Sequence, residues 1–336
     1  MAKRARLIDV AESAGVSTAT VSFVLSGSRS GRTPASPETA RRIHEAAAAL
    51  GYVPNSHAQA MRRGYSTTIV LALGSPEDPW TARVAQEVQR RAHPQGFSTL
   101  ALVDETWYEF LLGYTPGVAL ITSTDFDETG LAKVNDLADR GATLVVFATE
   151  ASADRFDVIS SSPVAATRAA YARLRARHDR VHLLTVRPFS DAWRGPSRLA
   201  GFRLGAADAG DADAEGRVHL SGWSRDEVAD HCHALLAERP RPEAVICSTG
   251  YLAQTLRSTA LSQGITSPDD LEIIAIGDIP DNAHNHLGPI SLYGTADGFG
   301  RLADIVVARA TEQMDTPFRR HEFVWDFTPG STTRDE

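Results

Sequence analysis

Residues 7–27 read LIDVAESAGVSTATVSFVLSG, and this stretch decides how the N-terminal part of the chain folds. Leu7, Val10, Ala11 and Ala14 recur at helical spacing, and Gly15 stands where a left-handed residue closes a helix. Ser17 is placed to cap a second helix, with Val16 and Val21 at the staple positions on either side of it. On that helix Val21, Val24 and Leu25 share one face, while Thr18, Ala19, Ser22 and Phe23 share the other. Two short helices joined by a tight glycine-containing turn make a helix-turn-helix, whose second helix can enter the major groove of DNA. A third helix is expected from Pro37 to Leu50, capped by Ser36 and stopped by Gly51. Ile43, Ala47 and Leu50 would close a three-helix core.

The charge pattern agrees with that reading. Residues 1–64 hold nine bases against four acids, a net charge of +5. The remainder holds 25 bases against 38 acids, a net charge of −13, so a small basic head precedes a large acidic body. Such a division favours nucleic acid at the head and repels it from the body. With 336 residues, 43% of them hydrophobic, the chain is long enough for about two domains with sizeable cores. Two cysteines, Cys232 and Cys247, make no disulfide framework and suit a reducing cytoplasm. No apolar run approaches the roughly 18 residues needed to span a bilayer, and no apolar signal core follows the basic N-terminus. A cytoplasmic, nucleoid-associated protein with no membrane partner is therefore expected.

After Gly64 the pattern becomes an alternation of strands and helices. Apolar runs predict strands at 68–73, 99–103, 118–122, 143–148, 180–185, 244–247, 271–276 and 290–293. Helical patterns fall between most of them, at 81–92, 164–177, 199–209, 225–237 and 252–263. Strands alternating with helices predict parallel sheets covered on both faces. The fold class is thus an all-α helix-turn-helix head plus an α/β body with doubly wound parallel sheets.

The opening run, together with RRIHEAAAALGYVPNSHAQAMRRG at 41–64, resembles the lactose-repressor (LacI/GalR) family of bacterial transcription regulators. The first block matches that family's D-V-A-x-x-A-G-V-S-x-x-T-V-S-x-V-L-x-G run, and the second its L-G-Y-x-P-N-x-x-A-x-x-L hinge. The resemblance implies a DNA-binding domain at 1–54 and a hinge helix with linker at 55–66. It also implies an effector-binding and dimerisation body at 67–336. In the hinge, Asn55 would cap the helix and Ala58 permit close approach. Met61 would wedge between base pairs in the minor groove, where relatives carry leucine, and Arg62 and Arg63 would pair with phosphates. On the recognition face, Ser17 and Ser22 suit phosphate, while Thr18 and Ala19 are small and leave direct readout sparse. Relatives often carry an arginine where this chain has Phe23. Phe23 either contacts a thymine methyl or tucks back onto the loop at 26–32.

The same resemblance implies a body similar to periplasmic sugar-binding proteins, with two subdomains joined by three crossovers and a ligand between them. One subdomain would take 67–161 plus 289–316, the other 162–288 plus 317–336. Loops at the carboxyl ends of parallel strands then mark the ligand site. Four residues match family positions there: Trp80, Arg198, Trp223 and Asp278. Against this, either tryptophan could be core, Arg198 an ion-pair partner and Asp278 a turn cap. The chain also departs from the family pattern. Thr249-Gly250 replaces an N-D pair, Gly277 replaces the first Asp of a G-x-D-D run, and Pro329 stands for an arginine. A site lacking those groups has fewer hydroxyl partners, so the effector is either less polar than a sugar or there is none.

The implied function is a sequence-specific transcription regulator, a repressor, acting on double-stranded operator DNA as a homodimer and modulated by a sugar or another metabolite. The alternatives are a regulator with no effector and a weakly specific architectural DNA-binding protein. Enzyme signals are weak. Gly298-x-Gly300 in DGFGRLA does not open a first βαβ unit, and the HCH at 231–233 and HNH at 284–286 lack a second ligand pair at fitting spacing. No cofactor, metal or catalytic residue is expected.

Overall fold

The computed structural model of the chain describes residues 5–26, 35–52, 66–74, 78–102, 106–122, 124, 129–148, 151–161, 163–186, 197–295, 297–312 and 316–334. Residues 1–66 and 67–336 form two separate compact units.

In the head, α1 (Leu7–Ala14) ends at Gly15, whose φ of 64° is the left-handed value expected of it. The axis of α2 (Thr18–Ser26) then turns 104° away from that of α1, within the range of a helix-turn-helix. The third helix, α3 (Pro37–Ala49), starts under the Ser36 cap, whose Oγ accepts from the Thr39 N–H at 3.2 Å. Val10, Val21 and Ile43, one from each helix, are fully buried together. Arg42 donates to the Ala14 carbonyl at 2.8 Å, satisfying an end of α1 that the helix itself leaves open. Leu50 departs from expectation: it is 41% exposed. Gly51 reverses the chain after α3, and the Tyr52 N–H reaches the Ala47 carbonyl at 2.9 Å. This Schellman closure lays Tyr52, in place of Leu50, on the core.

The body begins with β1 (Thr68–Ala72), α4 (Pro79–Ala92), β2 (Ser98–Leu102), α5 (Trp107–Gly113), β3 (Val118–Ile121), α6 (Gly130–Asp139), β4 (Leu144–Phe147) and β5 (Asp157–Ser161). It continues with α7 (Pro163–Arg175), β6 (His182–Val186), α8 (Arg198–Asp208), β7 (Val218–Ser221), α9 (Arg225–Ala237), β8 (Ala244–Cys247), α10 (Gly250–Ser262) and β9 (Glu272–Ile276). The last elements are β10 (Ser291–Gly294), α11 (Gly298–Thr311), β11 (Arg320–Phe323) and β12 (Asp326–Thr328). They build two six-stranded sheets, ordered β11-β5-β4-β3-β1-β2 and β12-β10-β9-β8-β6-β7. Every pairing is parallel except that of β12 with β10.

Both faces of each sheet are covered, which is why β1 and β3 read as unbroken apolar runs. Ile69 and Leu71 face the core shared with α4 and α11, while Val70 and Ala72 face the one shared with α5 and α6. Fully burying Ile69, Val70 or Leu71 stabilises the fold by about 1.5–3 kcal/mol each.

Two sheet memberships differ from the expected division. Strand β10 pairs with β9 in the second sheet, so 289–295 belongs with 162–288. Strand β11 pairs with β5 in the first sheet, so 317–323 belongs with 67–161. The chain therefore crosses near 162, between 294 and 298, and between 323 and 326. The apolar 290–293 run suits either sheet, and only its pairing partner decides. Strands β5, β7, β11 and β12 escaped the apolar pattern. The last three are short and carry polar or half-exposed residues. In β5 the buried Asp157 hides the strand signal: its carboxylate takes two 2.7 Å hydrogen bonds from Arg309 of α11.

Candidate functional site

On α2 the two faces separate as the spacing predicts. Val21 is fully buried, and Val24 and Leu25 pack on the head's core. Thr18 and Ala19 are exposed. Ser22 and Phe23 are half-buried, and Phe23 stands outside the group that packs on that core. Ser17 holds the helix start, its Oγ accepting from the Thr20 N–H at 3.1 Å and pairing with the Thr20 hydroxyl at 2.9 Å. Asn55, Ala58, Met61, Arg62 and Arg63 lie outside the described residues.

In the body, the carboxyl ends of both sheets face a cavity of about 180 Å³. Trp80, Arg198, Trp223 and Asp278 all line it, brought together from the starts of α4 and α8 and from the segments that follow β7 and β9. Arg198 begins α8, whose start is fixed by Ser197, its Oγ accepting from the Ala200 N–H at 3.1 Å. The Arg198 Nε donates to the Ile276 carbonyl at 3.3 Å, and the guanidinium lies 5.2 Å from the Trp325 ring centre. Gly277, where the family pattern has an acid, adopts φ 113°, a backbone conformation that favours glycine. A side chain there would begin 3.5 Å from the Arg198 guanidinium.

Asp278 is both a lining group and a brace. Its Oδ1 accepts from the Thr295 N–H at 2.7 Å, and its carboxyl rests on Gly298 at the start of α11. It thus ties the end of β9 to the crossing between β10 and α11. Loss of water around it pushes its pKa up to about 6, against the opposing Thr295 hydrogen bond. Trp223 is half-buried against the core under α9 and α10 while lining the cavity.

Sequence reasoning missed several lining groups. Asp78 caps α4, accepting from the Trp80 N–H at 2.9 Å. Burial raises its pKa, opposed by that hydrogen bond and by the Arg198 charge. Phe147, Phe299, Phe323 and Trp325 come from four further positions in the chain. Trp80 meets Phe147 edge-on with ring centres 6.1 Å apart, and Phe299 at 6.4 Å. An aromatic next to a strand end was the available signal, and Phe147 and Phe323 both carry it.

Residues 6–55 match the family described as bacterial regulatory proteins, lacI family. Residues 172–332 match the periplasmic binding protein-like domain. The chain belongs to the lacI family. It is 23% identical over 319 residues to the HTH-type transcriptional repressor PurR of Edwardsiella ictaluri (strain 93-146), covering 93% of this chain and 92% of the relative. A lacI-family regulator from Silicibacter pomeroyi shares its fold with a TM-score of 0.77 at 20% identity, over 98% of this chain and 100% of that one. The lac repressor dimer bound to operator and the anti-inducer ONPF does so at 0.73 and 20% identity, over 99% and 100%. As a lacI-family member the chain is a DNA-binding transcriptional regulator, not an enzyme.

Other motifs of this lacI-family chain find structural places. The DGFG run opens α11, with Gly298 under Asp278 and Gly300 against Asp297. Of the HCH run, Cys232 is buried and His233 is exposed, hydrogen-bonded to Gln263 at 2.9 Å. Among the described residues, His182, His219 and Glu238 bring possible ligand atoms within 4.8 Å of one another. There the His182 Nδ1 and His219 Nε2 lie 2.9 Å apart in near-parallel rings, a spacing that a shared proton fills.

Proposed function

We propose that this regulator represses transcription as a homodimer on a pseudo-palindromic operator, and that a small molecule in the body's cleft modulates it. The observation that carries the DNA reading is the α2 face: Thr18 and Ala19 project from a helix held 104° from α1, on a head of net charge +5. That face is small and lacks lysine and arginine, so one head makes few base contacts. Two heads on a repeated site supply the affinity that one lacks. Thr18, Ala19 and Phe23 are proposed to meet base edges, and Ser17 and Ser22 phosphates. Asn55 and Ala58 are proposed to serve the hinge, Met61 to wedge the minor groove, and Arg62 and Arg63 to contact phosphates. The place of action would be the cytoplasm, on the nucleoid. The lac repressor dimer bound to operator and anti-inducer supports both halves of the reading by likeness of fold.

Selection of bound DNA from a random pool, with the purified protein and no added ligand, tests the operator reading. A motif of two inverted half-sites is expected, bound by a dimer in analytical ultracentrifugation. A monomer on a non-repeated site refutes it. For the cleft, Arg198→Ala should still bind operator but lose a ligand response worth about 1–3 kcal/mol of coupling. An unchanged response in that variant removes Arg198 from the site.

A further inference from the structure

We propose that the molecule held in the cleft is a small uncharged aromatic compound, a single ring or fused pair bearing a hydroxyl or carbonyl group, and not a sugar. This rests on the reading of the cleft as the effector site.

Shape comes first. The cavity of about 180 Å³ is close to the roughly 150 Å³ space that takes one benzene. A flat ring with one small substituent fits that space. The walls then select for flatness. On the side of the first sheet, Trp80, Phe147 and Phe299 form a corner of tilted and edge-on rings, with Phe323 beside it. Trp223 and Trp325 come from the other side. Aromatic rings gain most from an apolar or aromatic partner that can lie offset or edge-on against them.

The polar groups point the same way, because most already serve the backbone. The Thr122 hydroxyl donates to the Ala72 carbonyl at 3.1 Å. The Ser197 and Thr249 hydroxyls accept from helix-start N–H groups at 3.1 and 3.3 Å. Asp78 and Asp278 each hold a backbone N–H as well. A sugar presents a hydroxyl at nearly every carbon, and each one buried without a partner weakens binding.

Charge narrows the choice further. Among the described residues lining the cavity, Arg198 is the only base and Asp78 and Asp278 the only acids. Arg198 and Asp78 lie in each other's field, and Asp278 sits at the N-terminal end of α11, where the helix dipole offsets it. Among these groups a charged ligand would have to compete with the mutual field of Arg198 and Asp78 for its counter-charge. A neutral ring with one oxygen directed at the Arg198 guanidinium, a side chain with five N–H donors, meets both demands.

The test uses the full-length protein and two readouts, tryptophan fluorescence and thermal shift. Trp80, Trp223 and Trp325 are three of the chain's five tryptophans, so a ring in the cleft should quench emission saturably. Probes are phenol, 4-hydroxybenzaldehyde and indole, with benzoate and benzylamine as charged analogues, and ribose, glucose and cellobiose as sugars. At least one neutral aromatic should bind, and the charged analogues should bind at least about tenfold more weakly. Trp80→Leu and Arg198→Met should each lose binding while far-UV circular dichroism and a cooperative thermal melt of the ligand-free protein report that the body is folded. If a sugar saturates the site and the aromatics do not, the ligand class is wrong and the cleft reading stands. If the aromatics bind both variants as they bind the wild type, they sit elsewhere and the cleft reading itself fails. If no aromatic moves either signal at millimolar concentration, the proposal is overturned.

Discussion

Replacing Asp278 with asparagine should stabilise the ligand-free protein at neutral pH. The carboxyl accepts one 2.7 Å hydrogen bond from the Thr295 N–H, which an asparagine carbonyl can also accept. What the substitution removes is the charge. In the fold the group titrates at about 6 rather than the ordinary 3.8 because it has lost water. As pH rises, the unfolded chain gives up this proton near 3.8 while the native state keeps it until about 6. Between those values the native state binds more protons, so this group's contribution to stability falls with rising pH and is fully lost above 6. At 1.36 kcal/mol per pH unit the loss is about 3 kcal/mol. A folded-state pKa of about 6 already includes any pull of the α11 N-terminus on the anion, so Asp278→Asn should gain about 3 kcal/mol at pH 7.5. At pH 4.5 the carboxyl is protonated in the fold and has begun to ionise only in the unfolded chain, so the gain should shrink to about 1 kcal/mol. Urea unfolding of both proteins at pH 4.5, 6 and 7.5 measures this, since the other titrating groups cancel in the difference. A variant less stable than wild type at pH 7.5, or a difference independent of pH, would refute the reasoning and leave Asp278 as a hydrogen-bonded brace alone.

Phe23→Ala should lose about 1 kcal/mol of preference at a single T·A pair of each half-site, and Phe23→Arg should shift that position toward G·C in DNA selected from a random pool. An unchanged motif with a lower melting temperature would make Phe23 a packing residue. Asp157→Ala, which takes the buried carboxylate from Arg309 and leaves it Glu312 at 3.5 Å and two backbone carbonyls, should cost about 3 kcal/mol in urea unfolding, whereas Asp157→Leu with Arg309→Leu should recover much of the loss. Near-wild-type stability of the single variant would show that the pair is not holding β5 and α11 together. His182 and His219 are held neutral by burial, with pKa values pushed down to about 3 and about 4. Unfolded histidines take up protons near 6.5 and these do not, so stability should fall as pH drops below 6.5, by up to about 2 kcal/mol for each by pH 5. In a variant with both replaced by glutamine, the difference in urea midpoint between pH 7 and pH 5 should shrink; an unchanged difference would mean that the pair is protonated in the fold.

Much of the head was legible because its signals are local. Gly15 at the turn, the Ser17 and Ser36 caps and the Val10–Val21–Ile43 core all lie within about fifty residues, and each is a short-range choice of helix start, stop or buried face. The exception, Leu50 for Tyr52, is a matter of how the chain leaves a helix end, which spacing along α3 does not register. In the body the central strands were legible for the same reason, since burial on both faces demands unbroken apolar runs. The edge strands β7, β11 and β12 were not, because an edge tolerates polar residues. In β5 an ion pair stands in for an apolar side chain.

The sequence by itself determined that there is a helix-turn-helix head, which of its faces is outward, and that the body is built on parallel sheets, while resemblance to a family pattern singled out Trp80, Arg198, Trp223 and Asp278. The tertiary structure alone decided that those four residues share one cavity, and that Asp78, Phe147, Phe299 and Trp325 complete it. It also decided that β10 and β11 exchange sheets relative to the expected division. The physical reason is range. A cap or an apolar stripe is settled by neighbours a few residues away. The partner of a strand and the far wall of a cleft are settled by chain crossings up to some 250 residues apart, between segments whose local patterns suit either side.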